Sequence, residues 1–234
     1  MNYNQILKEG ENFLKKSNIK SPNLDTELIL SKIINKKREE ILLNSKNKLK
    51  NTDLIKFKSF LLRRYLKEPM AYILGYKHFW KHKFLTNKSV LIPRPDTELI
   101  VEETLKHLPI DKSKKILDVG TGSGCIVVSL IKERPKCAAT AIDISRKALN
   151  VAKTNAKLHQ VENKINFINI DIDKYKSSYY DLIISNPPYV NSIELSRLDD
   201  DIKLHEPKIA LSGGFDGFKD IRTVSYTHLR AHET

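Results

Sequence analysis

The sequence is poor in several features that mark particular protein classes. It has only two cysteines, Cys125 and Cys137, which form neither a disulfide framework nor a Cys/His cluster with zinc spacing. No apolar run approaches the roughly 18 residues of a membrane helix, and the first ten residues lack a signal peptide's apolar block. Eight glycines and nine prolines in 234 residues argue against a collagen-like or disordered chain. We therefore expect a globular, cytoplasmic protein with no bound metal.

Acidic residues are scarce in the first part of the chain. Residues 1–93 carry 20 Lys and Arg against eight Asp and Glu, whereas residues 94–234 carry 21 against 20. A one-sided positive field attracts an acidic partner, such as RNA or an acidic protein face. Because Lys, Asn and Ile are abundant throughout the chain, a merely solvated basic surface explains the same counts. A weak RNA contact through this basic region is one interpretation, and the salt dependence of partner binding tests it.

The N-terminal third has the periodicity of short helices. Between residues 3 and 68 apolar residues recur at helical spacing, for example Phe57 and Leu61, which predicts a small bundle of about four helices. Pro69 ends this pattern. Residues 72–91 are rich in aromatic and β-branched types with interspersed turn residues, which predicts a β-hairpin linker.

After Pro93 the pattern alternates between strands and helices. The predicted strands are Lys115–Val119, Ala138–Ile142, Ile165–Ile168 and Asp181–Ser185. The predicted helices are Thr97–Leu108, Cys125–Lys132 and Ser145–Leu158. This alternation predicts a parallel sheet covered by helices on both faces. Ligands of such sheets bind beyond the carboxyl ends of the strands.

A glycine-rich loop follows the first of these strands. Gly120, Thr121, Gly122, Ser123 and Gly124 form a G-x-G-x-G pattern immediately before a predicted helix. Glycine lets the backbone turn sharply and lets a ligand approach main-chain N–H groups. The pattern differs from the G-x-G-x-x-G of dinucleotide sites.

Acidic residues lie at or just after the ends of the next two strands. Asp143 can accept hydrogen bonds from both hydroxyls of a ribose, and Asp171 can accept from an adenine amino group while Ile172 covers the ring. Asp118, just before the first glycine, either holds the loop or meets a cationic ligand. Together these features predict an adenosine-sized site at one edge of the sheet.

The fourth strand runs into the sequence Asn186-Pro187-Pro188-Tyr189. Proline has no N–H to donate, so its carbonyl is free to face inward as an acceptor. The side-chain oxygen of Asn186 and the backbone oxygen of Pro187 can together accept both N–H bonds of a planar NH2 group. Such acceptors favour pyramidalisation of a nitrogen that is otherwise a poor nucleophile, and Tyr189 can pack on the flat group and exclude water.

Several segments resemble the peptide chain release factor glutamine methyltransferases, the HemK/PrmC family, over residues 1 to about 222. The matching segments are Glu68–Gly75, Phe79-Trp80, Leu91–Glu98, Asn186–Tyr189, Glu206-Pro207, Ala210-Leu211 and Gly213–Gly217. The resemblance implies a Rossmann-like α/β sheet that binds S-adenosyl-L-methionine and releases S-adenosyl-L-homocysteine. It implies a substrate as well, namely the glutamine of the Gly-Gly-Gln motif in class-one release factors.

The resemblance also implies roles for particular residues. Asn186 and Pro187 would be the catalytic residues, and with Pro188 and Tyr189 they would bind the substrate carboxamide. Phe79 and Arg94 would border the cofactor. The candidate cofactor-binding set is therefore Phe79, Arg94, Gly120, Thr121, Gly122, Ser123, Gly124, Asp143, Asp171, Ile172 and Asn186. The methyl group is expected to pass in line from the sulfonium to the amide nitrogen, without a metal or a covalent intermediate.

The resemblance also divides the chain into regions. Residues 1–68 would form a helical domain that docks the release factor, residues 69–94 the hairpin linker, and residues 95–222 the methyltransferase domain. The family's sheet has seven strands, so we expect a sheet truncated after its fourth strand, with that strand at an exposed edge and one face uncovered. Residues 223–234 resemble nothing in the family and are expected to be a non-native tail.

Two other functions fit the same residues. A nucleic-acid adenine or cytosine amino methyltransferase also needs acceptors for a planar NH2 group, together with a pocket for a flipped base. An inactive truncated chain that only binds a release factor or RNA is the third interpretation.

Overall fold

The computed structural model describes residues 1–176 and 179–230. The chain divides into two compact units. Residues 1–75 and 200–205 form the first unit, and the second comprises residues 76–176, 179–199 and 206–230. Among the described residues, no helix is both long and apolar enough to cross a membrane.

The first unit is built from helices, as the periodicity predicted. These are α1 (Tyr3–Lys15), α2 (Pro22–Ile34), α3 (Arg38–Leu43), α4 (Asn51–Tyr65) and α5 (Met70–Leu74). Their apolar faces share one core, in which Ile6, Leu14, Ile29, Leu30 and Ile41 are almost completely buried. Removing such side chains from water is the main favourable contribution to packing helices together.

A buried arginine joins distant parts of the sequence within this unit. The Nε of Arg64 on α4 donates to Asp25 of α2 at 2.7 Å, and its Nη1 donates to Asp201 at 2.7 Å. Burial raises the pKa of Asp25 despite its arginine partner. Asp201 lies on the short helix α10 (Asp200–His205), so the chain returns to the helical unit long after leaving it. Sequence periodicity carries no sign of such a return.

The extended segment begins later than predicted. Residues 72–74, expected to be part of a hairpin, lie in α5, which ends at Gly75 with a left-handed φ of +81°. The antiparallel hairpin consists of β1 (Tyr76–Phe79) and β2 (His82–Leu85), with a two-residue turn at Trp80 and Lys81. The apolar run across Ala71–Leu74 is short, and a short apolar run does not distinguish a helix from a strand.

The second unit contains the predicted parallel sheet. Its strands are β3 (Lys115–Val119), β4 (Ala138–Asp143), β5 (Ile165–Asn169) and β6 (Leu182–Ser185), in the order β5-β4-β3-β6. The helices are α6 (Glu98–His107), α7 (Cys125–Glu133), α8 (Arg146–Leu158), α9 (Ser192–Arg197) and α11 (Lys219–Arg230). The four strands and the first three helices coincide with the predicted ones to within one residue at each end. In this region the apolar residues switch clearly between the spacing typical of strands and the spacing typical of helices.

Strand β6 lies at the edge of the described sheet, as expected. One face of this strand, which is apolar through Leu182–Ile184, was expected to be uncovered. Instead Ile183 packs against a buried cluster of Leu117, Val119 and Ile142, and Val224 of α11, from the segment expected to be a non-native tail, packs against the same cluster.

Candidate active site

The strand register brings the predicted site residues to one edge of the sheet. Val119 at the end of β3 pairs with Ser185 at the end of β6, so Gly120 and Asn186 leave the sheet side by side. The hydroxyl of Ser185 donates to the carbonyl of Val119 at 2.9 Å and fixes this junction. On the other side of β3, Val119 pairs with Ile142, which places Asp143 at the same edge.

A cavity of about 490 Å³ lies at this edge. Its volume is within the roughly 300–1,000 Å³ that is typical of small-molecule sites. Most of the predicted residues line it, namely Arg94, Gly120, Thr121, Gly122, Ser123, Asp143, Asp171, Ile172, Asn186, Pro187 and Pro188.

The glycine loop leaves open space for a ligand. Gly120 has a left-handed φ of +71°, and a methyl group built at its Cα would meet no atom within 4 Å. The side chain of Asp143 holds the loop in place. Its two carboxylate oxygens accept the N–H groups of Gly122 at 2.9 Å and Ser145 at 2.8 Å. An ionised carboxylate has about four lone-pair sites, so Asp143 can still accept from ligand hydroxyls. Burial raises the pKa of this carboxyl.

Asp118 holds the inner side of the loop. Its carboxylate accepts the hydroxyl of Thr121 at 2.6 Å, and both residues are buried. Burial raises the pKa of Asp118 to about 7, in part because Asp143 lies nearby. Of the two roles predicted for Asp118, this contact is that of a loop support.

Asp118 should make the stability of the protein depend on pH. Its pKa is higher in the folded protein than its ordinary value of 3.8, so its contribution to stability is complete below that value and is lost as pH rises through about 7. We expect the Tm of the wild type to fall between about pH 4 and pH 7 more than that of Asp118→Asn, which cannot ionise. Asp111→Asn, at an exposed position, is the control. Parallel Tm profiles for Asp118→Asn and wild type would contradict this assignment.

Asp171 and Ile172 lie where adenine recognition was predicted. Asp171 lines the cavity, and its carboxylate accepts the N–H of Asp173 at 3.1 Å. Ile172 lines the cavity too, and it packs against the apolar cluster of Leu117 and Val119. An acceptor and an apolar surface therefore stand next to each other after β5.

A second glycine-rich turn, residues 213–217, braces the Asn-Pro-Pro-Tyr loop. Val190 donates to the carbonyl of Leu211 at 3.0 Å and accepts from the N–H of Gly213 at 2.9 Å. A methyl group built on Gly213 would lie 2.8 Å from the carbonyl oxygen of Pro188, and one on Gly217 would lie 2.6 Å from that of Tyr189. These approaches are too close for any side chain, so the turn and the loop fit backbone against backbone.

Alanine at Gly217 should disturb this contact. Gly217 combines a left-handed φ of +82° with the 2.6 Å approach to the carbonyl oxygen of Tyr189, whereas Gly214 has a similar φ of +84° but its nearest neighbour is the Cβ of Lys219, at the longer distance of 3.3 Å. Both substitutions strain the backbone by about 1 kcal/mol. We expect Gly217→Ala to destabilise the protein by about 1–3 kcal/mol more than Gly214→Ala, because it also forces the two backbones apart. Urea unfolding measures this difference, and equal losses would show that the contact is unimportant.

Three predicted site residues do not line the cavity. Gly124, the last glycine of the loop, instead lies against α8, where a methyl group built on it would come within 3.1 Å of the Cβ of Ala152. Phe79 was expected to border the cofactor, but it is 1% exposed and packs edge-to-face on Phe84, because this side of the hairpin faces the apolar core. Tyr189 was expected to pack on the planar group, but it is 63% exposed and does not line the cavity. Successive side chains of an extended segment point to opposite sides, so the residue after Pro188 faces outward.

The structure adds polar contacts that sequence reasoning missed. Glu206 is buried, accepts the N–H of Ile92 at 3.1 Å and forms an ion pair with Arg94 on the cavity wall. Asn155 of α8 is fully buried and donates to the carbonyls of Ser123 at 2.8 Å and Leu85 at 3.0 Å, which ties the glycine loop to the hairpin. The only sequence signal for the contact of Glu206 with Ile92 and Arg94 was the pair Glu206-Pro207 among the segments that resemble the family.

Cys125 opens α7 directly behind the glycine loop. A helix N-terminus lowers the pKa of a thiol, but here burial dominates and raises the pKa of Cys125 to about 12. The thiol therefore stays protonated at neutral pH and acts in packing.

Two family models match the chain. The PrmC N-terminal domain matches residues 5–75, and the methyltransferase small domain matches residues 97–201. The release factor glutamine methyltransferase of Buchnera aphidicola is 37% identical over 220 residues, which cover 92% of this chain and 79% of that protein. The chain belongs to the release factor glutamine methyltransferase family, HemK/PrmC. Family membership makes it a methyltransferase that uses S-adenosyl-L-methionine.

Other relatives show the same family at similar distance. The release factor glutamine methyltransferase of Caulobacter vibrioides is 36% identical, with 93% of this chain and 75% of that protein covered. The bifunctional methyltransferase of Rickettsia felis is 34% identical, and the match covers 94% of this chain but only 47% of that longer protein.

The residues around the cavity fit the family's cofactor. Gly120 leaves its backbone open to the cavity, and Asp143 and Asp171 line the same cavity. Carboxylates suit a ligand that presents ribose hydroxyls, an amino group and positive charge.

Proposed function

We propose that this protein methylates the side-chain amide nitrogen of the glutamine in the Gly-Gly-Gln motif of class-one peptide chain release factors. The observation that carries the proposal is the pairing of Val119 with Ser185, which sets the amide acceptor loop beside the glycine loop on one cavity. The names of the release factor relatives favour a protein substrate over the nucleic-acid amino group that the sequence left open.

The cofactor-binding roles of individual residues are part of the proposal. Asp143 would hold the ribose, Asp171 and Ile172 the adenine, and the backbone of the glycine loop and Arg94 the remainder. When bound, S-adenosyl-L-methionine supplies an electrophilic methyl group on a sulfonium. The amide nitrogen would gain this methyl group as the carbon–sulfur bond breaks and would give up one of its two protons to water, a net gain of one CH2. Asp143 needs no rearrangement for this role, because Gly122 and Ser145 already fix its carboxylate.

Asn186 and Pro187 would hold the acceptor. The Oδ1 of Asn186 and the carbonyl oxygen of Pro187 each accept one N–H of the glutamine carboxamide, which orients its nitrogen toward the cavity. An amide nitrogen is a weak nucleophile because its lone pair is delocalised, and two acceptors at its hydrogens favour the pyramidal geometry in which the lone pair becomes available. Fixing the reacting groups in this way contributes about 7–11 kcal/mol to lowering a bimolecular barrier.

The specificity of the site would follow from the same two acceptors. A hydroxyl or a carboxylate in place of the carboxamide leaves at least one buried acceptor without a donor, which costs about 1–3 kcal/mol.

The N-terminal helical unit is proposed to dock the release factor. Its excess of Lys and Arg favours an acidic face on that partner, and an RNA contact predicts an affinity that falls steeply with salt.

Mass spectrometry of a release factor tests the proposal. After incubation with this protein and S-adenosyl-L-methionine, we expect a gain of about 14 Da, one CH2, on the tripeptide's glutamine. A release factor in which that glutamine is replaced by glutamate is the matched control and should stay unmodified. Methylation of single-stranded DNA or RNA oligonucleotides instead of the release factor would overturn the proposal in favour of the nucleic-acid alternative.

A further inference from the structure

A threonine at the start of α6 contacts the amide of Asn186. The Nδ2 of Asn186 donates to the Oγ1 of Thr97 at 3.3 Å, and both residues line the cavity. Thr97 is 7% exposed, so its hydroxyl lies where water has little access.

The hydroxyl of Thr97 does not serve the helix itself. Thr97 occupies the N-cap position of α6, where threonine usually accepts a backbone N–H of the first turn. Here its backbone is already helical, with φ −69° and ψ −18°, and its side chain makes no capping bond. The hydroxyl of Thr97 therefore contacts Asn186 and does not cap α6.

The contact is made in one of two nearly identical orientations of Asn186, the one in which Nδ2 donates to Thr97. The oxygen and the NH2 group of an asparagine amide are almost the same size, so packing alone does not distinguish them. Only one orientation leaves the oxygen available to accept from a substrate NH2 group. In the other orientation the NH2 group of Asn186 would face the substrate's NH2 group, and two donors do not form a hydrogen bond. A hydroxyl oxygen that accepts from Nδ2 holds the amide with its oxygen directed away from Thr97.

We propose that Thr97 is a positioning residue that orients the Asn186 amide so that its oxygen, and not its NH2 group, receives the substrate. This inference rests on the proposed function for the identity of the acceptor. The contact between the two side chains is independent of that identity.

Three variants separate this role from simple packing. Thr97→Val keeps the shape but removes the hydroxyl, so the productive orientation leaves the NH2 of Asn186 unpaired, and we expect kcat/KM for the release factor to fall about tenfold or more. Thr97→Ser keeps the hydroxyl and should stay within about threefold of wild type. Thr104→Val removes another buried threonine hydroxyl from the same helix and should leave kcat/KM unchanged. The affinity for S-adenosyl-L-homocysteine should be equal in all of them.

The same variants have a readout that needs no substrate. In protein labelled with 15N-asparagine, the side-chain signals of Asn186, assigned by their loss in Asn186→Asp, should show one hydrogen-bonded proton in wild type and Thr97→Ser but not in Thr97→Val. Wild-type activity in Thr97→Val, equal defects in Thr97→Val and Thr97→Ser, or unchanged Asn186 signals would each overturn the inference. If wild type leaves the release factor unmodified while the signals change as expected, the proposed substrate is wrong and the Thr97 contact stands.

Discussion

Replacing Asn186 with alanine should abolish most turnover and leave the cofactor site intact. The substitution removes one of the two proposed acceptors for the carboxamide, and losing one such group from a preorganised site lowers kcat by about 10²–10³-fold. The glycine loop, Asp143 and Asp171 are untouched, so the affinity for S-adenosyl-L-homocysteine should stay within a few-fold. Steady-state kinetics with a release factor and calorimetry with S-adenosyl-L-homocysteine measure the two quantities.

The controls for this prediction come from the same chain. Asn150→Ala makes the same change at an exposed position of α8 and should leave kcat unchanged. Asn186→Asp keeps an acceptor oxygen but changes its charge, so it should retain more activity than Asn186→Ala. Wild-type kcat in Asn186→Ala would remove the Asn-Pro-Pro-Tyr loop from the mechanism.

Replacing Asp143 with alanine should have the opposite profile, a loss of cofactor binding. The carboxylate supports the N–H groups of Gly122 and Ser145, and it is the proposed acceptor for two ribose hydroxyls. Hydrogen bonds to a charged group contribute about 1.5–3 kcal/mol each, so the affinity for S-adenosyl-L-homocysteine should fall about 100-fold or more. Isothermal titration calorimetry measures this loss.

A thermal-shift experiment separates the two roles of Asp143. Without ligand, Asp143→Ala should melt lower than wild type, because two backbone N–H groups lose their acceptor. A saturating ligand stabilises the wild type by mass action and should stabilise Asp143→Ala much less. Asp111→Ala, at an exposed position, should follow the wild type with and without ligand. Full ligand stabilisation of Asp143→Ala would show that Asp143 supports the loop but does not bind the cofactor.

The sheet and the position of the site were predictable because they follow from the periodicity of apolar residues and from the order of strands and helices along the chain. Apolar strands alternating with amphipathic helices specify a parallel sheet, and the carboxyl ends of its strands meet at one edge whatever the details of packing. Gly120, Asp143, Asp171 and Asn186 each lie at or just after the end of a strand, so their convergence could be read from the sequence.

Side-chain direction was less predictable. Phe79 and Tyr189 both belong to segments that resemble the family, but the hairpin turns Phe79 into the core and the extended loop turns Tyr189 outward. Local sequence does not reveal which face of a short strand or loop points toward a cavity. Long-range contacts, such as Arg94 with Glu206 and Thr97 with Asn186, depend on how distant segments meet, and a single sequence gives no direct signal for them.

The proposed mechanism requires Asn186 and Pro187 to hold a carboxamide by both of its N–H bonds in the cofactor cavity. A crystal structure of this protein with S-adenosyl-L-homocysteine and a Gly-Gly-Gln peptide tests it most directly. We predict the glutamine amide nitrogen within about 3.2 Å of both the Oδ1 of Asn186 and the carbonyl oxygen of Pro187. A glutamine side chain bound with its nitrogen directed away from these two oxygens would rule out this mechanism.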